Sequence, residues 1–185
     1  MELIRPTPEH LASYVAALQQ GWSPDSTRGA DAALEALAKI ETDPASPFAL
    51  VDDPEALGPA WQAPDGTLRA RLPGRVRWMW DADGFAGSIN LRWMKGGAPL
   101  PPHVLGHIGY SVVPWRRRLG YATQALGLLL PLARAEGLAF VDITTNLDNG
   151  PSQKVIVANG GVLQEQFTKD AVWGGQQGLR FRIDL

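Results

Sequence analysis

The stretch GYSVVPWRRRLGYATQALGLLL, residues Gly109–Leu130, contains the pattern that decides the fold. A β-branched run ends at Pro114, and an apolar run with helical spacing begins at Tyr121, so Arg116–Arg118 lie in a turn from a strand into a helix. Such a turn presents unpaired backbone N–H groups and the positive end of the helix dipole, which together favour a phosphate. Gly120 and the small residue after it allow the backbone to approach a ligand closely. The turn is therefore predicted to bind an anion.

Missing motifs, composition and charge exclude several other classes of protein. The turn lacks the Gly-Lys-Ser/Thr ending of a nucleoside triphosphate loop and the three glycines of a dinucleotide site. A chain of 185 residues with 45% hydrophobic content can form one domain with a full core. A net charge of -2 gives no chain-wide nucleic-acid surface, and the absence of cysteine excludes disulfides and thiolate metal sites. With no basic leader and no long apolar run, we expect a cytoplasmic protein that binds no metal, nucleic acid or membrane.

Working outward from the turn, periodicity and breakers predict the remaining elements. Asp83-Gly84 is typical of a hairpin turn, and Trp78, Trp80 and Trp93 are predicted to form an aromatic wall on that hairpin, although an open side could also line a substrate pocket. The Pro- and Gly-rich segment 42–74 is predicted to be a loop or insertion. The predicted strands are 2–7, 75–80, 85–94, 103–113, 138–146, 162–167 and 178–185, and the predicted helices are 8–20, 30–41, 121–136 and 151–161.

At the turn the sequence resembles a known family. VVPWRRRLGYA is similar to the acyl-coenzyme-A loop of the GNAT (GCN-related N-acetyltransferase) superfamily, whose core is Arg or Gln, two residues, Gly, one residue, then Gly or Ala. Arg117, Gly120 and Ala122 match that core. Many members have glycine where this chain has Arg118, a departure that should cost little if Arg118 adopts an ordinary helical conformation.

The resemblance continues beyond the loop. DNGPSQKVIVANGGVL is similar to the second GNAT signature, with Asn149 ahead of a helix that Ser152 opens. Together with HIGYSV, GYAT and RFRIDL, it resembles a bacterial subgroup of predicted acetyltransferases. The resemblance covers Val104–Leu185 and implies one domain over residues 1–185, with an α/β fold in which helices flank a mixed, mostly antiparallel and splayed sheet.

The resemblance also implies a co-substrate and the residues that bind it. Acetyl-CoA would lie between two splayed strands, with its pantetheine arm hydrogen-bonded to backbone groups of Ser111, Val112 and Val113. Asn149 and Ser152 would flank it. Its pyrophosphate would rest on the turn and the helix start, which comprise Arg117, Arg118, Leu119, Gly120, Tyr121, Ala122 and Thr123.

The implied reaction is attack of an amine, from a small molecule or a peptide, on the thioester. His107 is the candidate base, because it occupies the strand position where related enzymes often place a glutamate, and imidazole titrates near neutral pH. A structural, hydrogen-bonded role for His107 is equally open. As a catalytic base, His103 is a weaker candidate, and His10 is distant in sequence. Many members protonate the leaving thiolate with a tyrosine at the position of Ile156, so Tyr110 or solvent would act here. The alternative role for Tyr110 is packing in the sheet.

Two other classes of function stay open. Loss of the family tyrosine is compatible with a catalytically inactive domain that binds acyl-CoA as a sensor or interaction partner. Arg116–Arg118 with Trp115 could instead bind nucleic acid, although the near-neutral chain argues against it. Asn149 could be only a helix cap, and Asp142 only a paired structural carboxylate. A homodimer is also expected to be possible, because dimers are common in the family.

Overall fold

The computed structural model describes residues 1–25, 28–63, 66–97, 99–170 and 174–185. Two antiparallel sheets and four α-helices make up most of it. The large sheet has the order β1-β5-β6-β7 with β2 beside β5, and the second sheet has the order β8-β10-β9. The strands are β1 Glu2–Ile4, β2 Asp52–Asp53, β3 Trp61–Gln62, β4 Leu68–Arg69, β5 Gly74–Asp81, β6 Gly84–Arg92, β7 Ile108–Val112, β8 Phe140–Asn146, β9 Val162–Thr168 and β10 Gln177–Asp184; the helices are α1 Leu11–Gln19, α2 Ala30–Thr42, α3 Tyr121–Ala135 and α4 Gly150–Ala158.

The β5–β6 hairpin forms the centre of the large sheet. Asp81 pairs with Gly84, so the two-residue loop is Ala82-Asp83, one residue earlier than the predicted Asp83-Gly84 turn. Gly84 has φ +98°, and a Cβ there would lie 2.4 Å from the Ser13 Oγ. Glycine is therefore required by both backbone conformation and packing.

Each face of the large sheet packs against a different pair of helices. One face carries Ile89, Leu91 and Ile108 against α3 and α4. The other carries an aromatic cluster in which Trp78, 3% exposed, stacks on Tyr14 of α1 with ring centroids 4.5 Å apart. Trp93 is also buried, but it lies in the core of the opposite face with Ile89 and Leu91, and Trp80 is only half-buried. The prediction of one aromatic wall is therefore wrong, although Trp78 and Trp93 are core residues that are not open to a substrate.

Several predicted bounds change. The first strand ends at Ile4, and the first helix begins as a 3-10 turn, Pro8–His10, before α1. The segment 42–74 contains β2, β3 and β4, so it is not a plain loop; residues 64 and 65 lie outside the described residues. The strand predicted from His103 begins only at Ile108, whereas α3 continues through Pro131 to Ala135.

Among the described residues, no strand ladder joins the two sheets, although β7 and β8 lie next to each other in space. This places a gap between the last strand of the large sheet and the first strand of the second sheet. In the part of the chain that the structure describes, no helix is long and apolar enough to cross a membrane.

Candidate functional site

The gap between β7 and β8 is closed at one end by direct backbone contact. The His107 N–H donates to the Asp142 carbonyl at 2.7 Å, just before β7 begins. A Cβ on Gly106 would lie 2.9 Å from the same carbonyl oxygen, so glycine is needed for this approach. From this point the two strands enter different sheets. The site is therefore a V-shaped gap whose vertex lies at Gly106 and His107.

The register of β7 decides which backbone groups face the gap. The Arg92 N–H donates to His107 O, and the Val113 N–H donates to Ala86 O, in an antiparallel ladder whose bonding residues alternate. Ser111 and Val113 therefore bond to β6, whereas Tyr110 and Val112 direct their N–H groups toward β8. Of the three residues predicted to bind pantetheine through the backbone, only Val112 has its N–H on the open side.

At the wide end of the gap, the turn after β7 leads into α3 with its amide groups free. Among the described residues, no acceptor bonds to the backbone N–H groups of residues 118–123. Gly120 is the N-cap of α3 with φ +81°, and no side chain caps the helix. Free amides at the start of a fifteen-residue helix favour an anion.

Arg118 differs from the expectation for this turn. Its φ is +65°, in the left-handed region, and not in the ordinary helical region on which a low cost depended. This explains in physical terms why glycine suits the position in other sequences, since a Cβ in this conformation is strained. The turn keeps its shape despite the side chain.

The three arginines do not form one free basic patch. Arg116 pairs with Asp81 and Asp83 at the β5–β6 hairpin, and the hydroxyl of Tyr121 donates to Asp81. Arg117 and Arg118 are exposed, and the Arg117 Nε donates to Val112 O at 3.3 Å. Arg116 therefore anchors the turn to the large sheet, and this weakens the nucleic-acid alternative.

Residues from the two predicted signatures meet on the α4 side of the gap. The Tyr110 hydroxyl lies 2.8 Å from the Ser152 Oγ, and burial raises the pKa of Tyr110 while its bond to Ser152 lowers it. Asn149 is the N-cap of α4, and its side chain accepts the Ser152 N–H at 3.2 Å. Ile156 is fully buried. The Tyr110 hydroxyl therefore contacts α4 one helical turn before Ile156, and its role as an acid stays a prediction.

His107 is held as part of the vertex. It is 5% exposed, and its Nδ1 accepts the backbone N–H of Asp142 at 2.9 Å, so this nitrogen must be unprotonated. Burial, as the largest effect, lowers the pKa of His107. Asp142 itself accepts two hydrogen bonds from Arg182. This geometry is that of a structural histidine, and the base role stays a prediction.

The other predicted histidines lie elsewhere. His10 contacts Thr7 through Nδ1 and packs edge-on against Trp80. His103 lines a cleft near the start of β5. In the described ranges, no group of three or more acidic or histidine side chains could hold a metal ion.

Trp22 is a site residue that the sequence did not suggest. It lies just beyond α1, is 1% exposed, and its Nε1 donates to the Ser111 Oγ at 3.1 Å. The two residues are separated by 89 positions, so no local spacing could indicate the contact. This hydrogen bond holds the Ser111 side chain on the face of β7 opposite α3.

Comparison with known proteins gives the family. A family model described as "Acetyltransferase (GNAT) domain" matches residues 2–162. The chain belongs to the GNAT acetyltransferase family. This confirms the predicted family and enzyme class. A search of the curated proteins found no significant match.

Solved GNAT structures share the fold, which confirms the predicted fold class. An acetyltransferase from Salmonella typhimurium that modifies the N-terminal serine of ribosomal protein L7/L12 has a TM-score of 0.61 at 13% identity, over 99% of this chain and 94% of its own. The spermidine N-acetyltransferase SpeG from Vibrio cholerae has a TM-score of 0.56 at 12% identity, over 100% and 95%. YncA from Salmonella typhimurium, solved with acetyl-CoA, has a TM-score of 0.58 at 11% identity, over 100% and 93%.

Proposed function

We propose that this protein transfers the acetyl group of acetyl-CoA to a primary amine of a small molecule or peptide by direct attack on the thioester. The observation that carries the proposal is the V-shaped gap whose wide end meets the free amides of the α3 turn. The unpaired edge of β7 suits an extended amide-containing chain, and the turn suits a pyrophosphate. Membership of the GNAT family supports the same assignment.

On the coenzyme side, Val112 would donate its N–H to the pantetheine arm, and residues 118–123 would donate theirs to the pyrophosphate. Arg117 and Arg118 would add exposed positive charge. Ser152 and the N-terminus of α4 would border the arm on the second sheet. The structural neighbour from Salmonella typhimurium solved with acetyl-CoA has the same fold, which supports this placement.

The chemistry requires an uncharged amine. An alkyl ammonium with pKa about 10.4 leaves only about one molecule in a few thousand neutral at pH 7. The amine nitrogen would attack the carbonyl carbon, and the Tyr110 or Val112 N–H on the open edge would donate to the developing oxyanion. The C–S bond then breaks, and the amine loses its extra proton.

The leaving thiolate takes up a proton as it departs. Tyr110 is the candidate donor, since its hydroxyl lies on the α4 side of the gap and burial keeps it protonated at neutral pH. A thiol with pKa about 8.5 is a moderately good leaving group at pH 7, so this assistance is worth only about 2 kcal/mol. The absence of a tyrosine at Ile156 is therefore compatible with turnover.

The proposal is tested by supplying acetyl-CoA and a panel of primary amines, and measuring free thiol together with the mass of the acetylated amine. The expected result is amine-dependent thiol release with an acetylated product. Binding of acetyl-CoA with no turnover over amines, polyamines and peptide N-termini would support the alternative, an inactive acyl-CoA-binding domain.

A further inference from the structure

A cleft of about 340 Å³ lies where β5 begins and β6 ends, and it is separate from the turn and α3. Its floor includes Val76 of β5 and Asn90 and Arg92 of β6. The segment between α2 and β5 closes it with Leu50, Trp61 and Arg71 among others. Segment 42–74 therefore forms part of the wall of this cleft.

Arg92 has no carboxylate partner among the described residues. Its Nη2 donates to the Asn90 Oδ1 at 2.8 Å, and burial lowers its pKa. The other part-buried arginines of the two sheets differ: Arg75 and Arg77 pair with Asp52, and Arg182 pairs with Asp142. The remaining N–H donors of the Arg92 guanidinium have no acceptor among the described residues, and the half-buried group keeps contact with solvent. A guanidinium with free donors at a cleft can bind an anion that enters it.

The charges around the cleft favour an anion as well. Asp53 is the acidic residue that lines the cleft, and hydrogen bonds from the Gly58 and Leu57 N–H groups, then the nearby charge of Arg71, lower its pKa. The charges of Arg71 and Asp53 therefore offset each other. Among the described residues that line the cleft, this leaves Arg92 as the positive group that no carboxylate compensates.

The guanidinium lies close to the strand that borders the V-shaped gap. A Cβ on Gly109 would be 3.2 Å from the Arg92 Nη2 and 3.5 Å from the Asn90 side chain. Gly109 and Ser111 face the same side of β7, since side chains alternate along a strand. Two residues of strand separate these positions by about 7 Å, so the Arg92 guanidinium lies within about 10 Å of Ser111, which borders the gap.

We propose that the acceptor is a small amine that also carries a carboxylate, and that Arg92 and Asn90 bind this carboxylate. The inference rests on the proposed function for the transfer step, but its binding part does not. The Arg92 guanidinium would donate two parallel hydrogen bonds to the carboxylate. The short distance along β7 from Arg92 to the gap would then place the amine near the thioester. Glycine at position 109 leaves room for the guanidinium.

The test compares amines that differ only in the carboxylate, namely β-alanine with propylamine, γ-aminobutyrate with butylamine, and α-amino acids with their amides. We expect the wild type to favour at least one carboxylate member about tenfold or more in kcat/KM. Arg92→Gln should remove that preference, mainly through KM, without changing the Kd for acetyl-CoA. Arg134→Gln makes the same change at an exposed arginine of α3 that does not line the cleft, and it should retain the preference.

A second readout keeps the inference separate from the proposed function. Thermal unfolding is followed with each panel compound in the absence of acetyl-CoA. Stabilisation by carboxylates that is lost in Arg92→Gln supports the inference, even if no compound is acetylated, in which case the proposed function alone fails. Equal stabilisation of wild type and Arg92→Gln, or a Tm for Arg92→Gln well below that of the wild type without ligand, overturns it, because the arginine would then be structural.

Discussion

Replacement of His107 separates a structural histidine from a catalytic base. His107→Ala removes the acceptor of the buried Asp142 N–H and also leaves a void, whereas His107→Asn keeps an acceptor oxygen close to the position of Nδ1. An unsatisfied buried N–H costs about 1–3 kcal/mol, so we expect His107→Ala to be less stable than His107→Asn by that amount. Urea unfolding of both variants and the wild type gives the difference.

The same residue predicts a pH dependence with a definite sign. Burial holds the pKa of folded His107 below the unfolded value of about 6.5, so the unfolded chain binds more protons below that pH. Its contribution to stability is complete above pH 6.5 and declines as the pH falls toward the folded pKa. Between pH 7.5 and 5.5 the wild type should lose up to about 1.4 kcal/mol more than His107→Asn. Equal stabilities of His107→Ala and His107→Asn would refute the structural role, and a His107→Asn variant as stable as the wild type but without turnover would support the base.

Three further predictions concern residues of the gap and the turn. Arg118→Gly should be more stable than Arg118→Ala by about 1 kcal/mol in urea unfolding, because only glycine adopts φ +65° without strain; equal stabilities would contradict this. Tyr110→Phe should lower kcat up to about thirtyfold, the equivalent of about 2 kcal/mol, while Ser152→Ala, which removes the same hydrogen bond but keeps the phenol, has little effect on steady-state rates. Gly106→Ala should lower Tm because its Cβ would meet Asp142 O, whereas Gly150→Ala, with open space around it, should change Tm little. An unchanged Tm for Gly106→Ala would mean that β7 and β8 can move apart at the vertex.

Local patterns were sufficient for the elements that create the site. The strand, the turn and α3 follow one another directly in the sequence, so periodicity and the breaker at Gly120 predict the free amides. The hairpin and the closing strands follow for the same reason, since each is decided by a short alternating run. The family resemblance added the gap between β7 and β8, which no local pattern contains.

Contacts between distant segments could not be predicted. Arg116 appeared as part of a basic run, but its carboxylate partners lie on the β5–β6 hairpin. His107 appeared as a strand residue, but its environment is decided by β8. The turn requires a positive φ at Arg118, a conformation that is unfavourable for arginine. For Arg116 and His107, a tertiary contact determines the environment that the neighbouring residues do not indicate.

Binding of the acetyl-CoA pyrophosphate by the α3 turn can be measured by calorimetric titration of acetyl-CoA into three proteins. Gly120→Glu places a carboxylate at the N-terminus of α3, and Gly137→Glu places one beyond its C-terminus at a glycine with nearly the same φ, +82°. We expect micromolar binding by the wild type and Gly137→Glu, and at least about tenfold weaker binding by Gly120→Glu through charge repulsion. Equal affinities for all three proteins, or no binding by the wild type, would contradict the account.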